Sequence, residues 1–477
     1  MVMEYEVVIG LEVHVELLTK TKLFCACPNR FTAEANSHTC EVCLGFPGAL
    51  PLLNREAVQK ALTASLALNC EIALHSYFDR KNYFYPDIPK GYQISQYFIP
   101  LGSNGFLEIE DDSGAPKKIR IGRVHLEEDA GKLVHGGAGD SAVDYNRAGV
   151  PLIEIVSEPD LRSPGESRRY LEQLKSILQY AEVSDCKMEE GSLRCDANVS
   201  LRPKGSTVFG NKVELKNMNS FKAVEKALEY EIERQAQILR RGETVIPQTR
   251  RWDEDKQVTI AMRDKYQATD YRCFPDPELS PIVLTPEEVE AARRALPEFP
   301  AQRKRRYMAE YGLPAYDAGV LTATRGMAEY FEACLKLYDD PKSLSNWIMG
   351  DFSAHLNAAG LEPQEAPLTP GHMAALLQMI DKQLISGKIA KEVMAKVFAT
   401  GKSPREIVES EGLLQITDQS ELEKLVDEVI AANPDSVQSY RSGKTKALGF
   451  LVGQVMQATK GKANPQLVNK LLAEKLK

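Results

Sequence analysis

No stretch of this chain reaches the ~18 uninterrupted apolar residues that a membrane span needs, so a membrane-embedded role is not expected. The opening Met-Val-Met-Glu-Tyr-Glu lacks the basic start and apolar core of a secretory signal. A cytoplasmic location is expected. Tandem repeats and low-complexity tracts are missing, and so are the common nucleotide signatures. Gly401-Lys402-Ser403 and Gly443-Lys444-Thr445 echo a phosphate-binding loop, but Lys396 and Gln438 stand where its earlier glycine is required. Gly137-Ala138-Gly139 has no helix pattern after it, and no kinase motif set or nucleophile elbow appears. A nucleotide bound here would need an uncommon cradle. A net charge of −8 argues against nonspecific nucleic-acid binding by the whole surface, though not against a local basic patch.

What is present is an ordinary globular composition, 43% hydrophobic and 26% charged, over 477 residues, which is room for two to four domains. Up to about residue 290, short β-patterned runs (5–17, 106–110, 119–126, 152–156, 195–201, 211–216, 280–284) alternate with helical periods at 54–68, 164–181 and 220–241. This predicts an α+β or mixed α/β domain. After Pro297 only helical patterns follow, among them 404–411, 420–432, 436–457 and 464–476. In this part the charge is segregated. Residues 406–440 hold nine acidic side chains and one lysine, whereas 441–477 hold eight basic ones against Glu474 alone. These could be two solvated helical faces, but a basic end on an acidic protein suggests contact with a phosphate backbone.

In the strand predicted at 5–17, period two puts Glu12, His14 and Glu16 on one face and Val7, Ile9, Leu11, Val13, Val15 and Leu17 on the other. A wet sheet face would alternate in the same way. Yet two carboxylates around an imidazole, next to the open backbone of Gly10, also make half a cation site. The second half is His125-Leu126-Glu127-Glu128-Asp129-Ala130-Gly131-Lys132, after the apolar Ile119, Ile121 and Val124. Carboxylates with one imidazole favour magnesium or manganese over zinc, and hence phosphoryl transfer from a nucleotide.

Cys25-Ala26-Cys27 and Cys40-Glu41-Val42-Cys43 offer four thiols at spacings suited to a tetrahedral, structural zinc. Cys70, Cys186, Cys195, Cys273 and Cys334 are isolated. Arg80 to Gln93 interleaves cations with Tyr83, Phe84, Tyr85 and Tyr92, a loop able to stack a base or ribose while lysines meet phosphate, or simply an aromatic-rich packed loop. Asp144–Glu154, Thr249–Asp253, Met262–Lys265 and Asp270–Pro275 are similarly dense. One shared cleft is expected for them.

Taken together, Gly10-Leu11-Glu12-Val13-His14, the stretch Tyr85 to Gln96, His125 to Lys132, Tyr145 to Leu152 and Asp270 to Pro275 closely resemble the B-subunit family of the aspartyl/glutamyl-tRNA amidotransferase. The likeness runs in order along nearly the whole chain. It implies a three-subunit ligase that converts Asp-tRNA(Asn) to Asn-tRNA(Asn) or Glu-tRNA(Gln) to Gln-tRNA(Gln). In the family this subunit activates the side-chain carboxylate with ATP, a glutaminase A subunit supplies ammonia, and a small C subunit stabilises the pair.

The resemblance further implies a cradle-like catalytic domain at 1–294 with a zinc-binding insert at 25–43, a helical domain at 295–405, and a helical tail at 406–477 that touches tRNA. Glu12, His14, Glu127, Glu128 and Asp129 are expected to hold Mg2+, with Glu12, His14, Glu127 and Glu128 catalytic. Lys81, Lys90 and Arg147 are expected at phosphate or substrate carboxylate, and Tyr83 and Tyr85 against the aminoacylated adenosine. Cys25, Cys27, Cys40 and Cys43 would carry structural zinc. The competing expectation is a zinc-stabilised tRNA-binding scaffold with no phosphoryl-transfer site of its own.

Overall fold

A computed structural model of the chain describes residues 4–32, 34–135, 140–262, 270–415, 419–442, 446–459 and 462–476. Gly137-Ala138-Gly139, Arg263 to Lys265 and Gly443 to Thr445 therefore lie outside the described residues. The chain divides into two compact units, Met1–Phe299 and Pro300–Lys477.

The first unit is α+β. Its strands begin with β1 (Tyr5–Glu16), β2 (Glu71–Ile72), β3 (His75–Ser76), β4 (Asp79–Asn82) and β5 (Tyr92–Ser95). There follow β6 (Gly102–Glu110), β7 (Pro116–Glu128), β8 (Lys132–His135), β9 (Ser141–Asp144) and β10 (Pro151–Ser157). The series ends with β11 (Leu193–Pro203), β12 (Val213–Lys216), β13 (Gln248–Asp253), β14 (Val258–Ala261), β15 (Phe274–Pro275) and β16 (Ile282–Val283). Nine of them form one sheet in the order β14-β13-β12-β11-β1-β10-β7-β6-β2. The sheet is mixed, because β12 and β13 run parallel whereas β1 is antiparallel to both β10 and β11.

Helices α1 (Arg55–Ala67), α2 (Pro164–Tyr180) and α3 (Phe221–Arg240) cover this sheet, each started by a side chain that satisfies otherwise orphaned N–H groups: Asn54, Ser163 and Ser220. Ile9, Leu11, Val13 and Val15 of β1 are buried in one core with Leu62, Leu171 and Val224 of these helices. Burying one face of β1 fixes which residues occupy the other. In β7 a register shift lets Ile121 and Val124 both point inward, and leaves Arg123, His125 and Glu127 on the polar face.

The second unit is helical throughout its described residues, from Pro300–Glu310 to Pro465–Lys475. It holds two apolar cores, one around Tyr307, Phe331, Phe352 and Val393 and one around Leu422, Leu451 and Leu472. Ile407 and Val408 belong to the first core, although they follow the expected boundary at 405. The single helix expected at 436–457 is instead two, Pro434–Arg441 and Lys446–Ala458. Among the described residues, no helix is long and apolar enough to cross a membrane.

Candidate active site

Register across the sheet builds the site. His14 on β1 stands opposite Arg194 of β11 on one side and Glu154 of β10 on the other, and Glu154 in turn stands opposite His125 of β7. One row across four strands thus reads cation, imidazole, carboxylate, imidazole. Glu12 and Glu127, one step away in opposite directions, close in on it. His14 Nε2 lies 3.3 Å from Glu154 Oε2, 3.7 Å from Glu12 Oε1 and 3.9 Å from Glu127 Oε1. His125 Nε2 lies 3.3 Å from Glu127 Oε2 and 3.6 Å from Glu154 Oε2.

Two sets of three donors result, Glu12-His14-Glu154 and His125-Glu127-Glu154, each able to converge on one ion, and both use Glu154. Adjacent ligands of a six-coordinate ion with bonds of about 2.1 Å lie about 3.0 Å apart. The imidazole–carboxylate spacings need contract by only a few tenths of an ångström to a little under one. Three carboxylates against two imidazoles, all but Glu12 largely shielded from solvent, leave negative charge that a cation would offset.

The electrostatics agree with that charge imbalance. Burial, and then the neighbouring Glu154 carboxylate, push the Glu12 carboxyl above its ordinary range. Burial would lower the His14 pKa, but the hydrogen bond to Glu154 and the charge of Glu127 reverse this and raise it. For Glu127 and Glu154 burial acts to raise the pKa and the two imidazoles outweigh it, so both carboxyls sit low. Ser95 Oγ donates to Glu127 Oε2 at 3.0 Å and fixes its orientation.

The acidic triplet does not act together. Period two turns Glu128 away from Glu127, and Glu128 accepts from Lys90 Nζ at 2.5 and 2.6 Å and from the Ile94 amide. Asp129 lies 2.8 Å from Arg194 and 3.6 Å from Arg147. The structure therefore brings Glu12, His14 and Glu127 together and does not bring Glu128 or Asp129 with them. Lys90 is engaged by Glu128, and Arg147 donates to the carbonyls of Ala130 and Gly131. Lys81 lies 4.7 Å from the Tyr271 ring centre and 5.8 Å from that of Tyr83. Burial, then the Asp87 and Glu127 carboxylates, raise the Tyr83 pKa. Tyr85 is 39% exposed.

Two residues of the site are not among the expected ligands. Glu154 interrupts an apolar strand, and His125 opens the expected second half of the cation site without being assigned to the metal; the cross-strand register brings both into it. The single shared cleft holds in part. β15 pairs with β4, and Asn82 Nδ2 donates to the carbonyls of Tyr271 and Arg272. Thr249–Asp253, by contrast, lies in β13, separated from β1 by β11 and β12. There Arg250 faces the buried Glu231, not the site. On the polar face next to Glu12 a cleft of about 290 Å³ is lined by Val8, Val156, Asn198, Phe209 and Lys212 among others.

The sulfur atoms of Cys25, Cys27, Cys40 and Cys43 lie within 4.8 Å of one another. A tetrahedral ion bonded to sulfur at about 2.3 Å has edges of about 3.8 Å, and Cys40 and Cys43 are 3.9 Å apart. The hydrogen bond from Cys25, with lesser help from the Cys40 amide and Lys22, brings the Cys43 pKa down to about 5. The four cysteines thus form a cluster able to hold a metal.

Residues 7–290 match the GatB/GatE catalytic domain and residues 329–476 the GatB domain. The chain is 60% identical over 477 residues to a protein of Moorella thermoacetica, covering 99% of this chain and 100% of that one. It is 58% identical over 474 residues to a protein of Thermoanaerobacter pseudethanolicus, with 99% and 100% covered. A protein of Carboxydothermus hydrogenoformans is 58% identical over 477 residues, with 99% of each covered. All three are named as the B subunit of an aspartyl/glutamyl-tRNA(Asn/Gln) amidotransferase. By length of match and by identity, this chain belongs to the GatB family, the B subunits of the tRNA-dependent amidotransferase ligases.

Proposed function

We propose that this chain carries the activating step of tRNA-dependent amidation, with ATP and Asp-tRNA(Asn), Glu-tRNA(Gln) or both as substrates. The observation that carries this reading is the Glu154-centred cluster, two overlapping donor sets on the polar face of β1, β10 and β7. A carboxylate resists ammonia because oxide would have to leave. Transfer of the γ-phosphoryl group of ATP to the side-chain carboxylate gives an acyl phosphate and ADP. Ammonia then attacks the carbonyl carbon, phosphate departs, and an amide remains.

Glu12, His14, Glu127 and Glu154, with His125, would hold Mg2+. The bound ion would supply electrostatic stabilisation of the phosphoryl oxygens. Ser95 orients Glu127, and Lys81 stands as a cation toward that carboxylate. Glu128 and Asp129 serve by holding Lys90, Arg194 and Arg147 in place.

The four cysteines would hold zinc as scaffold, since a closed four-thiolate site leaves no position for substrate. The partners are a glutaminase subunit and a small third subunit in a heterotrimer. The relatives' designation as one lettered subunit among several supports that arrangement, and a cytoplasmic setting accords with tRNA as substrate. The basic end of the helical unit would touch the tRNA backbone.

The test is transamidation by the assembled enzyme, with misacylated tRNA, ATP and free ammonium. Glu12→Gln and His14→Ala are expected to abolish turnover and leave tRNA binding intact; unchanged turnover would sink the metal assignment. Failure of wild-type enzyme to hydrolyse ATP under these conditions would favour the tRNA-binding scaffold instead.

A further inference from the structure

Lys22 lies beside the four-cysteine cluster and is fully buried. Its Nζ lies 3.7 Å from Cys43 Sγ and donates to the carbonyl of Tyr145 at 3.2 Å. Among the described residues, no carboxylate stands within ion-pair distance of it. The nearby Glu128 carboxylate is engaged by Lys90. Burying an ammonium away from water costs several kcal/mol unless an opposite charge and hydrogen bonds offset it, and one peptide carbonyl is a weak offset. The remaining partner is sulfur. A divalent metal held by four thiolates is doubly negative, an anion that needs a buried cation as much as Lys22 needs an anion.

The other end of Lys22's contacts leads toward the active site. Segment 144–149 is clamped to the loop between the two cysteine pairs. Tyr145 N donates to Asn36 Oδ1 at 2.7 Å, Asn36 N to Asp144 Oδ1 at 3.0 Å, and His38 N to Asn146 Oδ1 at 2.8 Å. Leu23 N donates to the carbonyl of Gly149, and Gly149 N to that of Asp129, both at 2.9 Å. From the same segment the Tyr145 hydroxyl donates to the carbonyl of Pro86 at 2.8 Å. Arg147 donates to Ala130 and Gly131, just past the acidic triplet.

We propose that Lys22 is the internal counter-ion of the four-thiolate metal centre, and that through the Tyr145 carbonyl it ties metal occupancy to the position of the 144–149 segment beside the active site. Lys22 is thus a positioning residue. With metal bound, the doubly negative centre compensates its ammonium and Lys22 holds the segment; with metal gone, the cation is left with the single Cys43 sulfur and one carbonyl, and the segment loosens. This rests on the reading of the cysteine cluster as a zinc site.

The experiment uses the full chain in its complex and zinc as the only added metal. Release of zinc to a chromophoric chelator is followed for wild type, Lys22→Met and Lys22→Arg, together with amide hydrogen exchange of peptides covering Leu23 and Tyr145–Gly149. Lys22→Met is expected to release zinc about tenfold faster or more, the size of effect seen when partners of metal ligands are removed. Lys22→Arg, which keeps the cation, should release it more slowly than Lys22→Met. Stripping zinc from the wild type should speed exchange at Leu23 and Tyr145, a measurement that holds even if Lys22→Met fails to fold. Equal zinc release from Lys22→Met and wild type, or unchanged exchange on stripping, would overturn the inference and leave the zinc site standing. Wild type that takes up no zinc would overturn both.

Discussion

Glu154 Oε2 stands 3.3 Å from His14 Nε2 across the β1–β10 pairing and 3.6 Å from His125 Nε2 across the β10–β7 pairing, so one carboxylate belongs to both donor sets. Glu154→Gln, which keeps the shape and removes the charge, is therefore expected to impair cation binding more than any neighbouring change. Ammonia-dependent transamidation should fall by about 100-fold or more, the scale on which a preorganised electrostatic group acts. Mn2+ binding followed by paramagnetic resonance should weaken in parallel. Wild-type Mn2+ affinity in this variant would remove Glu154 from the site.

Glu127 and Glu128 should separate cleanly, because adjacent residues of β7 face opposite sides. Glu127→Gln is expected to lower Mn2+ affinity and to cost less stability than Glu128→Gln, because Glu154 still faces both imidazoles. Glu128→Gln leaves Lys90, whose side chain is 10% exposed, without its carboxylate. Breaking a buried pair at one partner costs roughly 3–5 kcal/mol. Denaturant titration of both variants checks this, and the opposite ranking would overturn the placement of the two residues.

Why the sequence reveals some of this and not the rest follows from how local each signal is. Alternation within β1 is a property of neighbouring residues, so Glu12 and His14 are legible together, as are the two cysteine pairs and the change from mixed to helical patterning near Pro297. Glu154 is not, since it sits in an apolar strand and acquires its meaning from registers with β1 and β7 fixed by residues far away in sequence. The same holds for β13, whose cations resemble those of the site until the sheet order separates them from β1 by two strands, with Arg250 against Glu231 and Arg251 against Asp253. Helix Pro286–Arg294 was hidden for a different reason. Its signal is a capping box, Thr285 with Glu288, rather than a long apolar period.

The stability of the first unit should depend on pH through Glu16. Burial first, and then the charge of Asp129, raise the Glu16 pKa from 4.5 to about 7. A carboxyl whose pKa is higher folded than unfolded binds more protons in the folded state between the two values, so its contribution to stability declines as pH rises through that window. Glu16→Gln cannot ionise and should be flatter than wild type between about 4.5 and 7. Melting temperatures across this range measure the difference, and an identical slope for the two proteins would remove the shift.

The helical tail should bind tRNA through fewer cations than its composition suggests. Lys475 is paired with Asp427 at 2.5 Å and donates to the carbonyl of Glu423, whereas Lys446 and Lys470 are exposed. Each phosphate that is no longer neutralised should reduce the slope of log K against log salt by about 0.7–0.9. Lys446→Ala with Lys470→Ala should therefore weaken tRNA binding and flatten its salt dependence, while Lys475→Ala should do so less. A truncation testing the whole tail must begin beyond Leu413, because Ile407, Val408 and Leu413 pack in the preceding core and a cut at 406 would damage it. Chain 1–415 is expected to keep that core, require more tRNA for half-saturation, and show the shallowest salt slope. Unaltered affinity at every salt concentration would show that the tail does not meet the tRNA backbone.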